Sequence, residues 1–150
     1  MRIAGIAGES HIRSGEKAAS FDLVAQPDEL MRRKGIRLVF EGFFIEEEPL
    51  TLGVFLTDGF MNPVPVGSVH FENEGPEELP DGSRIVRRRG FAFDLTEIVP
   101  RLRGARRLDV LLKAYDVRGK EADKVRLRPG KLHLAIPSPE EEAARWKLAA

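Results

Sequence analysis

Residues 36–45 read IRLVFEGFFI, and residues 50–57 read LTLGVFLT. The second stretch is the simpler. Leu50, Leu52, Val54 and Leu56 alternate with Thr51, Gly53, Phe55 and Thr57, the period of a strand that lays one face on a core. In the first stretch Leu38, Phe40 and Phe44 share one face, while Val39, Phe43 and Ile45 make the other face apolar too. A strand apolar on both faces predicts cover on two sides, by a partner sheet and by something else.

The same alternation recurs outward from these two strands. Phe21 and Leu23 mark a short strand ended by Pro27, upstream. Downstream, Val64, Val66, Val69 and Phe71 define another, in which Gly67 breaks the alternation and predicts a bulge. Phe91, Phe93 and Leu95 follow, then Leu108, Val110, Leu112 and Ala114, then Val125 with Leu127, then Leu132, Leu134 and Ile136. Asp58-Gly59, Asn62-Pro63, Gly119 and Pro129-Gly130 read as turns, and the polar residues 72–90 as a long surface connection. Residues 96–102 read as one or two helical turns capped by Asp94 or Thr96. About seven or eight strands at this spacing predict an all-β fold, an antiparallel β-sandwich of jelly-roll-like form.

The last residues change character. Ser138, Pro139 and Glu141 form a capping box, and Ala143, Trp146 and Ala150 share a helical face. The reading is therefore a sandwich over residues 1–137 and a C-terminal helix over 138–150, docked through Trp146 on the sandwich or on another chain.

A chain of 150 residues with 42% hydrophobic residues suits one domain with a real core. Its 24 basic and 24 acidic side chains cancel, which argues against a nucleic-acid binder. No apolar run reaches the roughly 20 residues of a membrane helix, and the N-terminus lacks the layout of a signal peptide. With no cysteine, the expectation leans to the cytoplasm. The neutrality hides a polarity. Residues 41–83 carry 10 acidic side chains and no Lys or Arg, whereas residues 84–131 carry 15 basic and 6 acidic. Either neighbouring strands bring the blocks together, or a dipolar surface orients a partner.

Candidate chemistry is sparse. His11, His70 and His133 include no short-range pair with metal-ligand spacing, although His70 and His133 could meet across a sheet. There is no cysteine, no nucleophile elbow and no phosphate-binding glycine loop. No catalytic residue, metal ligand or cofactor is expected. Arg87, Arg88 and Arg89 form the densest basic run and read best as a solvated loop or strand edge, where charge discourages edge-to-edge aggregation.

Three stretches resemble the C-terminal β-sandwich domain that follows the dinuclear copper domain in molluscan haemocyanins, tyrosinases and polyphenol oxidases. They are Arg37-Leu-Val-Phe-Glu-Gly-Phe-Phe-Ile45, then Val54-Phe-Leu56 with Val66-Gly-Ser-Val-His-Phe71, then Phe91-Ala-Phe-Asp-Leu-Thr-Glu-Ile-Val99. The likeness covers roughly residues 20–137 and rests on patterned hydrophobics around a few Gly, Asp and Thr positions. The family's six copper-binding histidines lie in a separate helical domain, so oxygen chemistry does not carry over to this chain. What the resemblance implies is an accessory role: packing against, or shielding, a copper oxidase domain, with Phe60 and Met61 as loop residues suited to cover its entrance. Arg87, Arg88, Arg89 and Trp146 complete the partner-facing candidates, with a homo-oligomer left open. Two rival readings stand beside it. One is a calcium- or lipid-binding sandwich using Asp58, Asp109, Asp116 and Asp123; the other is a small carbohydrate-directed enzyme or binding domain using scattered carboxylates.

Overall fold

The computed structural model describes residues 2–7, 11–22, 36–45, 50–72, 77–78, 80–81, 84–85, 89–102 and 105–135. Within them run strands β1 (Arg2–Ala7), β2 (Ile12–Arg13), β3 (Lys17–Asp22), β4 (Arg37–Ile45), β5 (Leu50–Thr57) and β6 (Val64–Phe71). They continue with β7 (Glu77–Glu78), β8 (Arg84–Ile85), β9 (Arg89–Asp94), β10 (Arg107–Tyr115), β11 (Arg126–Arg128) and β12 (Lys131–Ala135). One sheet has the order β1-β12-β4-β11-β2, with β9 on the far side of β4, and the other has the order β3-β10-β5-β6. Every pairing is antiparallel.

Register reduces these strands to a simpler scheme. Leu127 and Arg128 of β11 face Ile45 and Phe44, and Lys131 and Leu132 of β12 face Glu41 and Phe40. The two short strands thus form one long strand along β4 with no slip in register. On the other side of this long strand β1 pairs with β12 and β2 with β11, here with a shift of one residue between the two pairings and an irregularity between Arg2 and Ala4. Counted as eight long strands, the first sheet runs 1-8-3-6 and the second 2-7-4-5, which is the jelly-roll arrangement.

The core lies between the sheets. Leu52, Val54 and Leu56 of β5 meet Leu108, Val110, Leu112 and Ala114 of β10 on one side, all buried. From the other sheet come Leu38, Phe40, Phe43 and Ile45 of β4 with Leu127, Leu132 and Leu134. The inward residues of β4 therefore change phase between Phe40 and Phe43. A bulge at this point shifts the β4–β9 register, and Gly42 supplies the positive φ of 76°. The expectation that Phe43 and Ile45 lie opposite Leu38 and Phe40 is corrected: the phase change puts all four on the core face. Phe44 is left on the outer face, where the Arg128 guanidinium stacks 5.2 Å from its ring centre. The apolar pattern on both faces records a kink in the strand.

Pro129-Gly130, expected to be a turn, is also corrected. It is an interruption within the β11–β12 strand, beside Gly42 of β4. The bulge expected near Gly67 is present, since Gly67 faces Val54 while Pro65 faces Phe55, leaving Val66 as the extra residue. Residues 72–90 hold β7 and β8, paired with each other, and the first residues of β9. A single 3-10 turn, Val99–Leu102, stands where helical turns were expected. Asp94 initiates the segment, its Oδ1 accepting bonds from the Thr96 amide at 2.9 Å and the Thr96 hydroxyl at 2.5 Å. The C-terminal helix and its Trp146 lie outside the described residues, as do Leu23 and Pro27.

The open side of the sandwich, where β6 and β9 are the outermost paired strands among the described residues, is closed by aromatics. Phe40, Phe43, Phe71, Phe91 and Phe93 form one cluster, with Phe40 and Phe91 stacked at 4.7 Å. Gly67 belongs to this closure: a Cβ there would lie 2.7 Å from the Phe93 ring.

Candidate interaction site

All nine phenylalanines of the sequence lie among the described residues, and Phe60 stands apart from the other eight. Its side chain is 97% exposed in the loop joining β5 to β6. Such exposure in a loose loop would mean little, because single apolar residues on a surface are ordinary. This loop is fastened. Asp58 Oδ1 accepts hydrogen bonds from the amides of Phe60 and Met61, both at 2.8 Å. Thr57 Oγ1 donates to the Met61 carbonyl at 2.8 Å and accepts from the Gly59 amide at 3.1 Å. These bonds hold the Asp58 carboxyl below its ordinary value of 3.8, the Met61 amide contributing most and the Phe60 amide next.

The loop also rests on β10. Gly59 takes a φ of 93°, and a Cβ on it would fall 2.9 Å from Nε and Cζ of Arg107. The guanidinium therefore packs directly against the glycine. Arg107 is fixed in turn by Asp109, Nε to Oδ2 at 3.3 Å, and Asp109 accepts the Ser20 hydroxyl at 2.5 Å. In register, Ser20, Asp109 and Thr57 form one row across β3, β10 and β5. Asp109 and Thr57 are buried polar residues on the outer face of the sheet. Their polar atoms are satisfied by this row and by the loop above it.

The sequence candidates separate on this geometry. Phe60 is presented to solvent, whereas Met61 packs against the core as a partly buried side chain. Arg89 opens β9, donates from Nη1 to the His70 carbonyl at 3.0 Å and stacks 5.1 Å from the Phe71 ring centre, so it ties β9 to β6. Arg87, Arg88 and Trp146 fall outside the described residues. His70 and His133 do not meet: His70 lies on β6 beside Thr51 and Glu72, and His133 on β12 of the other sheet near Glu41. The four aspartates of the calcium reading do not converge either. Asp58 and Asp109 sit at one end of the sandwich. Asp116 lies in the turn beyond the far end of β10, its Oδ1 taken by the amides of Arg118 and Lys120, and Asp123 follows that turn. Among the described residues no group of three or more His, Cys, Asp and Glu side chains is placed to hold a metal ion. None of the helices there is long and apolar enough to cross a membrane.

The acidic and basic blocks of the sequence interleave. Glu78 faces Arg84 in the β7–β8 pair, and Glu41 faces Lys131 between β4 and β12. At these two positions an acidic residue of the 41–83 block meets a basic residue of the 84–131 block across a ladder.

Asp58-Gly59 is legible as a turn from sequence, but Arg107 and Asp109 are not. They lie almost fifty residues downstream, and only the β5–β10 pairing brings them beneath the loop. No protein-family model matches the chain, and no curated protein matches it significantly.

Proposed function

We propose that this protein is a non-catalytic binding module that inserts Phe60 into an apolar pocket of another protein. The observation that carries this reading is the union of near-complete exposure with a fixed loop. An aromatic side chain held rigid before contact loses little entropy on binding, and buried aromatics dominate interface energies. Full burial of a Phe contributes roughly 1.5–3 kcal/mol, or about one to two orders of magnitude in affinity. The resemblance of residues 20–137 to the accessory sandwich of copper oxidases supports one concrete partner, a dinuclear copper domain on another polypeptide.

Titration of the protein against such a copper domain, followed by calorimetry, tests that partner. Wild type is expected to bind, and Phe60→Ser to bind at least tenfold more weakly with an unchanged melting temperature. Equal binding by both variants removes Phe60 as the contact, and binding by neither removes the copper domain as the partner.

A further inference from the structure

The Phe60 loop has a charged companion. Arg107 is 54% exposed, lies against Gly59, and has its orientation set by a carboxylate that is itself buried. Nε is engaged by Asp109, and the guanidinium remains half exposed against Gly59, the residue before Phe60. The acidic groups around it are largely committed within the fold. Asp58 holds two amides of the loop and also feels the Arg107 charge, and Asp109 holds Arg107 and Ser20. Asp22, which faces Arg107 in register, and Glu97 are exposed at this end, as are Arg101 and Arg106.

Resting on the Phe60 reading, we propose that Arg107 selects the partner: the loop binds a protein segment that offers an apolar side-chain cluster with a carboxylate next to it. A guanidinium fixed in one plane matches a carboxylate with two parallel hydrogen bonds, a geometry that a lysine ammonium does not reproduce. The charge is set close to the apolar contact, where the partner's carboxylate is partly desolvated and discrimination between partners is strongest. A membrane is the weaker match. One myristoyl chain gives only marginal binding to a bilayer, a single Phe has fewer carbons to insert, and Met61 packs inward.

The test is selection from a display library of random peptides on wild type, Phe60→Ser, Arg107→Gln and Arg107→Lys. Wild type is expected to enrich peptides that pair aliphatic or aromatic residues with Asp or Glu. The best of these should weaken at least tenfold on Phe60→Ser and severalfold on Arg107→Gln, with only partial rescue by Arg107→Lys. Its affinity for wild type should fall with added salt, and that salt dependence should shrink in Arg107→Gln. Peptides that need Phe60 but show no acidic preference overturn the role of Arg107 and leave the Phe60 reading standing. Peptides indifferent to Phe60→Ser overturn both, and no enrichment at all overturns the selection of a protein segment by Arg107. If Arg107→Gln speeds amide exchange at Phe60 and Met61 while the salt dependence is unchanged, Arg107 only positions the loop and the proposal fails. Phe60-dependent binding to vesicles of phosphatidylserine and phosphatidylcholine would likewise overturn it by moving the site to a lipid surface.

Discussion

Gly130 lies directly opposite Gly42, and both take a positive φ, 73° and 76°. Each strand reverses its inward-outward phase at this point. Leu38 and Phe40 are followed inward by Phe43 and Ile45, and Leu127 is followed by Leu132 and Leu134. Because both strands change phase together, their mutual register is kept. A Cβ on Gly130 would overlap the Glu41 carbonyl oxygen and come within 2.8 Å of the Gly42 carbonyl.

Gly130→Ala should therefore be among the most damaging small substitutions in the protein. Left-handed backbone costs an alanine about 1–2 kcal/mol, and contact with a central strand adds to this, for about 3 kcal/mol or more in all. Gly119 is the matched control, with a φ of 77° and nothing within 4 Å of an added Cβ. Gly119→Ala should lose only about 1 kcal/mol. Urea unfolding of the two variants measures the difference, and equal losses would remove the packing argument.

Gly67 should depend on Phe93. An added methyl collides with the ring at 2.7 Å, so Gly67→Ala is expected to cost about 1–3 kcal/mol. Combined with Phe93→Ala the same substitution should be far milder, giving a coupling of about 1 kcal/mol or more in a double-mutant cycle. Additive losses would show that the two positions do not meet.

Asp109→Ala should destabilise by about 1–2 kcal/mol, since Ser20 loses its acceptor and Arg107 its anchor while water still reaches the half-exposed guanidinium. The loss should be smaller in a Ser20→Ala background, because one of the two bonds is already gone. Chemical denaturation of the single and double variants reads this directly.

The Asp58 carboxyl is held below 3.8 in the folded protein, chiefly by the Met61 and Phe60 amides. A depressed acid stabilises the fold above its unfolded value and loses that contribution as pH falls through the folded one. The gap in melting temperature between wild type and Asp58→Ala should thus be constant near neutrality and close as pH falls below 3.8. A gap that persists unchanged at lower pH would show that the ionised carboxylate does not hold the loop.

Much of the sandwich was legible because burial imposes a period of two. The Leu50–Leu56 and Leu108–Ala114 alternations mark the two central strands of one sheet. The bulge at Val66–Gly67 was legible for the same reason. β1 was not: RIAGIA has small residues and no marked alternation, and the pairing with β12 makes it a strand. The phase change in β4 was hidden as well, since a run of apolar residues fits either cover on both faces or a kink. At the site, Asp58-Gly59 marked a turn in a window of a few residues.

Local pattern in the sequence is enough for an all-β chain of alternating strands, the position of the β5–β6 turn, and Phe60 and Met61 as its apolar residues. Folding is needed to turn Phe60 to solvent and Met61 inward, and to bring Arg107 and Asp109 from a distant strand to brace Gly59. Alternation and turn chemistry are local properties of the chain. The floor beneath the loop and the reversal at Gly42 and Gly130 arise from pairings between residues far apart in sequence, which no local pattern of residues specifies.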